Sequence, residues 1–600
     1  MADAIILPDL EIPPEPPPHG PIVWLRNNLF QTPASGVMSI LGILVALVAL
    51  RGLLGWSFDP LRRWDAVTFN MKLLMTLAYP RDDFFRIWIS VGIVVVLLVA
   101  SFAIWKVGGK SEPRHVGRTF MSIGGGIVLA GLLSPFSTSG KAIWIAAGAV
   151  FLLAGWVLRT RLGDRTKEPL IPVLGLVAVA IGFVIVAIWT VELPWPVKID
   201  GVQSIAQEPI AMSTRVPWTV FYFVGIAVYL VVNALRPRLN EARARSILMV
   251  LWVFSFPVIV LIVLRAPQVD VGRALTWYLP IFVVFAAVGW VVINYVAKPT
   301  TGEVGRIIGA VILLLAFVSL LFPMEFVIRF LLLALALFAL AGRTFGGEGA
   351  NQRKYVMTWV GTAFIIVFAT WITSNPSGID VSSESFLGGF TLTLVLAVTS
   401  IVLSFPLGVL MALGRTSTMP IFRLMSTAYI ELVRGVPLIT WLLVAFIMLP
   451  AALPQGIHLT GVMTAIGAMT FFSAAYLAEN VRGGLQAISV GQKEASKALG
   501  MSTLQETVFI TLPQALRAVI PALVGQVIAL FKDTSLVTIV GLFDFLHIAR
   551  AVIPAQSQPF SFLGTIRVTL LFAAVVYWMF TFTFSRISLR IEKKLGVGER

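Results

Sequence analysis

The stretch 478–513, AENVRGGLQAISVGQKEASKALGMSTLQETVFITLP, is a polar segment set between long runs of membrane-spanning hydrophobicity. Its local chemistry predicts two short helices joined by a glycine hinge. Ser489 with Gln492 three residues on has the form of a capping box, so a helix starting at Val490 has its free amides satisfied, and Gly500 supplies the left-handed residue that ends it. Ser502 with Gln505, or Thr503 with Glu506, offers a second box; Leu504, Val508 and Leu512 then recur on one face until Pro513 closes the unit. Ala495, Ala498 and Leu499 form a small apolar stripe opposite Lys493 and Lys497, and small side chains there let another surface approach the helix backbone closely. An amphipathic loop lying on lipid headgroups is the alternative reading of this local pattern.

The spacing Glu494-Ala495-Ser496, three residues, Gly500, nine residues, then Ile510-Thr511-Leu512-Pro513 resembles the EAA loop of ABC importer permeases. The resemblance implies a coupling loop over 479–513 that docks on a separate ATPase subunit, with Glu494, Ala495, Ser496, Gly500, Ile510, Leu512 and Pro513 in the coupling surface. Ser496 stands where the family pattern has a second alanine, one small residue for another. Flanking motifs extend the likeness to the polar amino-acid class of such permeases (histidine, glutamine, general amino-acid): Gly389-Phe390-Thr391-Leu392-Thr393-Leu394, then Tyr429-Ile430-Glu431-Leu432-Val433-Arg434-Gly435-Val436-Pro437-Leu438, Ala475-Tyr476-Leu477-Ala478-Glu479, and Lys532-Asp533-Thr534-Ser535-Leu536. It covers about a third of the chain and implies a five-helix type I permease core at 376–600. YPRDDFFRIW at 79–88 is faintly similar to N-terminal extensions of some permeases in this class.

Working outward, 58% apolar and 12% charged residues over 600 positions, with mean hydropathy +0.92, describe an all-α polytopic membrane protein. The net charge of +16 sits mostly in short loops between apolar runs, as orientation in a bilayer requires, which removes nucleic acid as a partner. With no cysteine there is no thiol chemistry or disulfide framework, and the four histidines (His19, His115, His458, His547) have no paired metal-ligand spacing. No phosphate loop is present: Ala142 follows Gly140-Lys141. Cofactors and metals are therefore not expected.

Apolar runs predict about 16 spanning helices, from 37–55 to 563–585 and including 119–135, 307–323, 325–341 and 424–450. An even count puts both termini on one side. The basic linkers 106–118, 159–167 and 236–245 and the tail from Arg586 then share that side with 479–513, so it is read as cytoplasmic. Segment 56–87, with Arg62, Arg63, Lys72, Arg81 and Arg86, is out of place outside; a partly embedded or surface-lying helix, or a miscounted span, accounts for it. Residues 1–36 read as a Pro-rich cytoplasmic tail with no signal peptide, 37–375 as a membrane module of about eleven helices, and 376–600 as the permease domain.

Ionisable residues inside spans are costly and turn toward protein or water. Glu431 with Arg434, and Glu479 with Arg482, are three apart on a helix face and read as structural pairs, with a bend allowed at Pro437. Lys532, Asp533, Thr534 and Ser535, with Gln526 upstream, offer groups for both ends of a zwitterionic amino acid; a neutralised structural turn is the alternative. The expected function is a permease subunit of an ATP-driven amino-acid importer in a bacterial cytoplasmic membrane, not itself an enzyme. Its expected partners are ABC ATPase subunits, a second permease or a second copy, an extracytoplasmic solute-binding protein, the amino-acid substrate and the bilayer. A stand-alone secondary transporter or channel is the alternative.

Overall fold

A computed structural model describes residues 25, 27–59, 61–106, 109–133, 138–162, 168–264, 270–298, 302–322, 324–345, 349–375, 387–452 and 459–595. The Pro-rich run, most of the polar turn at 373–385, His19 and His458 lie outside them. In chain order the main elements are α1 (Pro33–Ser57), α2 (Asp65–Phe69), α3 (Met71–Thr76), α4 (Phe85–Ile104), β1 (Lys110–Ser111), α5 (Pro113–Leu133), α6 (Thr138–Val157), β2 (Ile171–Pro172), α7 (Val173–Thr190), β3 (Glu192–Ile199), β4 (Val202–Pro209), α8 (Met212–Leu235) and α9 (Glu241–Leu264). They continue as α10 (Leu279–Val296), α11 (Gly302–Val318), α12 (Phe326–Phe345), α13 (Ala350–Ser374), α14 (Gly389–Arg415), α15 (Pro420–Gly435), α16 (Leu438–Ala452), α17 (Gly461–Gln486), α18 (Val490–Ala498), α19 (Leu512–Asp533) and α20 (Ile566–Leu595).

Among the described residues, twelve helices are long and apolar enough to cross a membrane, or thirteen if α15 and α16, bent by 104° at Val436-Pro437, form one span. All sixteen expected segments fall on helices, and four of them stand outside the twelve. Run 119–135 lies on α5, which carries Arg114, His115 and Arg118 in its first two turns. Runs 307–323 and 325–341 lie on α11 and α12, whose apolar lengths of 17 residues stand at the short end of the roughly 17 to 25 that span a bilayer. Run 424–450 is the bent pair. Pro437 removes an amide and turns the preceding residue extended, so α15 stops at Gly435, burying Ser426, Ile430 and Val433 on one face.

The chain forms two compact units. One comprises Met1–Arg63 and Gly108–Ile181. Its centre is the antiparallel hairpin α5/α6, in which glycine meets glycine: a Cβ on Gly117 would stand 2.6 Å from the Gly155 carbonyl oxygen, and one on Gly124 would stand 2.7 Å from that of Gly148. With Gly131 against Trp144, the contacts recur every seven residues, and only glycine allows such backbone approach.

The other unit comprises Trp64–Val107 and Gly182–Arg600. Here the discordant segment 56–87 is resolved into the short helices α2 and α3, with Asp65, Ala66, Leu74 and Tyr79 buried, so from Trp64 on it is a wedge packed into protein. Gly389, at φ +61°, begins α14 against the Leu74 carbonyl, where a Cβ would collide. Arg86 pairs with Asp83 at 2.8 Å, which neutralises one charge that disturbed the topology. Strands β3 and β4 form a hairpin that the all-α expectation did not contain; Asp200 and Gly201 at φ +50° and +78° make its tight turn. The hairpin docks on the loop before α20: Gln203 Nε2 donates to the Ser561 carbonyl (3.2 Å) and Ser561 N–H donates to Gln203 Oε1 (2.8 Å), while Phe69 packs edge-on against Trp195 and Phe560.

Candidate functional site

The polar stretch folds as two turns of unlike design. Ser489 is the N-cap of α18 with extended backbone, but its side chain makes no cap hydrogen bond, so the first expected capping box is not formed; the Gln492 carbonyl faces Gln514 instead, which donates at 3.4 Å. The box forms at the second site. Ser502 Oγ accepts from Gln505 N–H at 3.3 Å, and Gln505 Oε1 accepts from Ser502 N–H at 2.9 Å. Between them α18 closes in a Schellman motif: Gly500, at φ +73°, donates to Lys497 O (2.9 Å) and Met501 donates to Ser496 O (3.1 Å).

This geometry sorts the expected coupling residues by exposure. Ser496 is the buried residue of α18, at 3% exposed, and its hydroxyl is spent on Lys493 O at 2.8 Å. Serine therefore replaces alanine here without leaving a polar group unsatisfied. Glu494, Ala495 and Ala498 are exposed, as are the flanking apolar Val490 and Leu499, the latter at 81%. Ile510 and Leu512 are half-buried and Pro513 is exposed.

Pro513 does not close the unit. The helix begun at Thr503 widens into a π turn at Glu506–Thr511 and runs on without a break through α19. Proline cannot donate to the carbonyl four residues back and its ring crowds that group, and a widened turn accommodates both effects. Glu506, 8% exposed, accepts from Thr511 Oγ at 3.1 Å within the same turn.

Next to this stretch the ends of α14, α15 and α17 bring five charges together. Arg415 reaches Glu431 (2.7 Å) and Glu479 (3.0 Å); Arg434 reaches Glu479 at 3.8 Å and covers the Tyr476 ring at 5.5 Å; Arg482 holds Glu479 through Nε at 3.0 Å and through Nη2. Glu479 and Arg482 pair as their spacing indicated. Glu431 and Arg434 do not pair with each other, because Arg415 from the neighbouring helix takes Glu431 and leaves Arg434 to Glu479. Glu479 is thus shared by three arginines.

The expected pathway residues are only partly brought together. Gln526 bridges α19 to α17: its amide donates to Ser473 Oγ (3.3 Å) and its carbonyl accepts from Asn480 Nδ2 (3.5 Å). Six residues on, Lys532 is exposed and Asp533 half-buried, and no ion pair joins them among the described residues. Thr534 and Ser535 spend their hydroxyls on the carbonyls of Phe531 and Lys532, both at 2.8 Å. Ser473 and Asn480 were missed; they lie seven apart on one face of α17, a spacing that periodicity reveals. Asp544 was missed too. Fully buried, it caps the turn after it by accepting from Leu546 N–H (2.9 Å) and His547 N–H (3.2 Å), and burial pushes its carboxyl up to about 6.

Residues 404–595 match the family described as "Binding-protein-dependent transport system inner membrane component". The chain is 46% identical over 211 residues to the inner membrane amino-acid ABC transporter permease protein YhdY of Escherichia coli K12, covering 35% of this chain and 56% of that one. It is 45% identical over 221 residues to the glutamate/glutamine/aspartate/asparagine transport system permease protein BztC of Rhodobacter capsulatus, covering 37% and 50% respectively. The match thus spans about half the length of these two relatives. With the probable glutamine ABC transporter permease protein GlnP of Bacillus subtilis, identity is 36% over 204 residues, 34% of this chain and 90% of the relative.

Proposed function

Because this chain belongs to the family of binding-protein-dependent transport system inner membrane components, we propose that it is the transmembrane permease subunit of an ATP-driven amino-acid importer. It is a multi-pass protein of the inner membrane with a type I ABC permease core. In this reading 376–600 is the permease domain, ATP is hydrolysed on partner ABC ATPase subunits, and a second permease or a second copy of this chain completes the path. An extracytoplasmic solute-binding protein delivers the amino acid, and both termini are cytoplasmic.

The observation that carries the proposal is the form of 489–513. A short helix closed by the Gly500 motif presents Val490, Ala495, Ala498 and Leu499 outward, next to a capping box that starts an unbroken membrane-crossing helix. Movement of a docked ATPase therefore reaches the membrane through one continuous helix. Gln526 and the segment Lys532 to Ser535 are the residues we assign to the substrate pathway, with Ser473 and Asn480 added by their bonds to Gln526.

Glu494→Lys reverses charge on the exposed helix, and Gly500→Pro forbids its left-handed end. Both variants are expected to insert normally and to lose ATP-dependent uptake in proteoliposomes reconstituted with the ATPase. Uptake at the parental rate in both refutes the coupling role. Uptake that persists without ATP identifies a stand-alone secondary transporter.

A further inference from the structure

Between the last turn of α8 and the first turn of α9 lies a hollow of about 490 Å³ lined by Asn233, Arg236, Pro237, Leu239 and Glu241. Arg236, Arg238, Arg243 and Arg245 follow one another through this turn, and Lys106, just past α4, reaches it at 3.8 Å from Glu241. Glu241 is also held by Arg245 at 2.9 Å, and the Asn240 side-chain oxygen is taken by the amides of Ala242 and Arg243 at 3.1 and 3.2 Å. Arg236, Arg238 and Arg243 are left with no anionic partner among the described residues.

Basic turns of this kind also serve orientation in the bilayer, so charge alone identifies no ligand. The second observation is an apolar groove of about 500 Å³ between α4 and the same helix α9, lined by Gly92, Ile93 and Val96 on one side and Leu251, Phe254 and Val258 on the other. Ser255 also lines it, but its hydroxyl proton is committed to Trp252 O at 2.8 Å. The two helices are fixed around the groove by buried Leu97, Ile104 and Leu248 and by Trp252 Nε1 donating to Ser101 Oγ at 2.9 Å.

Both cavities are lined by α9, and Phe254 of the groove lies furthest round that helix from Glu241. Leu251 stands ten residues along α9 from Glu241, about 15 Å at 1.5 Å per residue, and at about 100° per residue Leu251, Ser255 and Val258 fall within about 100° of Glu241 around the helix. One leaflet of a hydrocarbon core about 30 Å thick has about that depth. We propose that the α8–α9 turn and the α4/α9 groove together bind one anionic phospholipid, its phosphate among Arg236, Arg238 and Arg243 and the ends of its acyl chains in the groove. A free phosphate shares the headgroup chemistry but has no use for the groove.

The test is native mass spectrometry of the full-length chain released from phosphatidylcholine nanodiscs doped with phosphatidylglycerol. One phosphatidylglycerol is expected to be retained in preference to phosphatidylcholine. Arg236→Gln with Arg243→Gln should weaken its retention roughly fivefold for each arginine removed, since a basic residue near an anionic lipid surface contributes about 1 kcal/mol. Val258→Trp, which fills the groove, should weaken it too, and short-chain phosphatidylglycerol should bind less well than the long-chain lipid. Equal retention of the two headgroups, or an unchanged double arginine variant, overturns the proposal. Displacement by inorganic phosphate together with indifference to chain length overturns it in favour of a free-anion site.

Discussion

Where α5 meets α6, glycine faces glycine at 117/155 and 124/148 and the backbones touch; where α14, α15 and α17 end, five charged side chains hold the helices through Glu479. Lipid tails are as apolar as leucine, so neither contact is driven by hydrophobic burial in the usual sense. The first relies on dispersion at close range, which needs one geometry and rewards staying in it. The second relies on long side chains that can exchange partners, since Glu479 already shares three arginines. Close packing occurs in the second region as well, where a Cβ on Gly408 would stand 2.9 Å from Ala474 O and one on Gly414, beside Arg415, would collide with Ser426 Oγ, so there the charges are added to close contacts. A membrane protein that must keep one part still and shift another can thus do so by leaving one contact to small residues and adding charges to the other.

The largest test of this contrast is Glu479→Ala. It leaves Arg415, Arg434 and Arg482 facing one another, and it is expected to cost about 3 kcal/mol, the low end for breaking a buried pair, because these arginine side chains are 20–34% exposed. Thermal unfolding of the full chain in detergent reads the loss, and added salt should shrink it; a salt-independent loss contradicts an ionic origin. Gly148→Leu comes next at about 2 kcal/mol, the price of pushing a side chain into Val128 and the Gly124 carbonyl, 2.6 and 2.8 Å from where its Cβ would lie. Salt should leave this loss unchanged, and full tolerance of leucine would break the comparison.

Gln526→Leu should cost about 1 kcal/mol, because Ser473 and Asn480 each lose a partner while the residue's volume is kept. A variant that is parental in stability but defective in uptake would support the pathway assignment of Gln526, whereas one that loses stability but keeps uptake would return it to the scaffold. The smallest effect separates the two serines of the polar stretch. Ser502→Ala should cost about 0.5 kcal/mol and speed amide exchange at Gln505, whereas Ser489→Ala should change neither, since only Ser502 caps.

Helices were read from the sequence more reliably than the number of spans. Apolar runs locate helices by composition, but whether 17 or 20 residues cross a membrane depends on what lies beside them. The Gly500 ending was legible because a left-handed residue after a helix has few alternatives. The choice between Ser489 and Ser502 as a box was not, because both have glutamine three residues on and only Gln492 has Gln514 to turn to. Pairing by spacing found Glu479 with Arg482 but failed for Glu431, whose partner Arg415 arrives from another helix. The β3/β4 hairpin had a clear signal in Asp200-Gly201 between alternating apolar residues, a pattern hidden by the helices around it. The fully buried Asp544 had none beyond its place before Phe545.

The helix from Thr503 to Val540 is one run of 38 residues, π turn included. At 1.5 Å per residue that is a rod of about 57 Å, and tilting it by about 5° carries one tip some 5 Å past the other. Its stem is softened in two places, at the turn before Pro513 and at Pro521, and is tied to α17 between Gln526, Ser473 and Asn480. In mechanical terms it is a lever with a fixed fulcrum, so the throw at its far tip is set by where along the rod that tie lies.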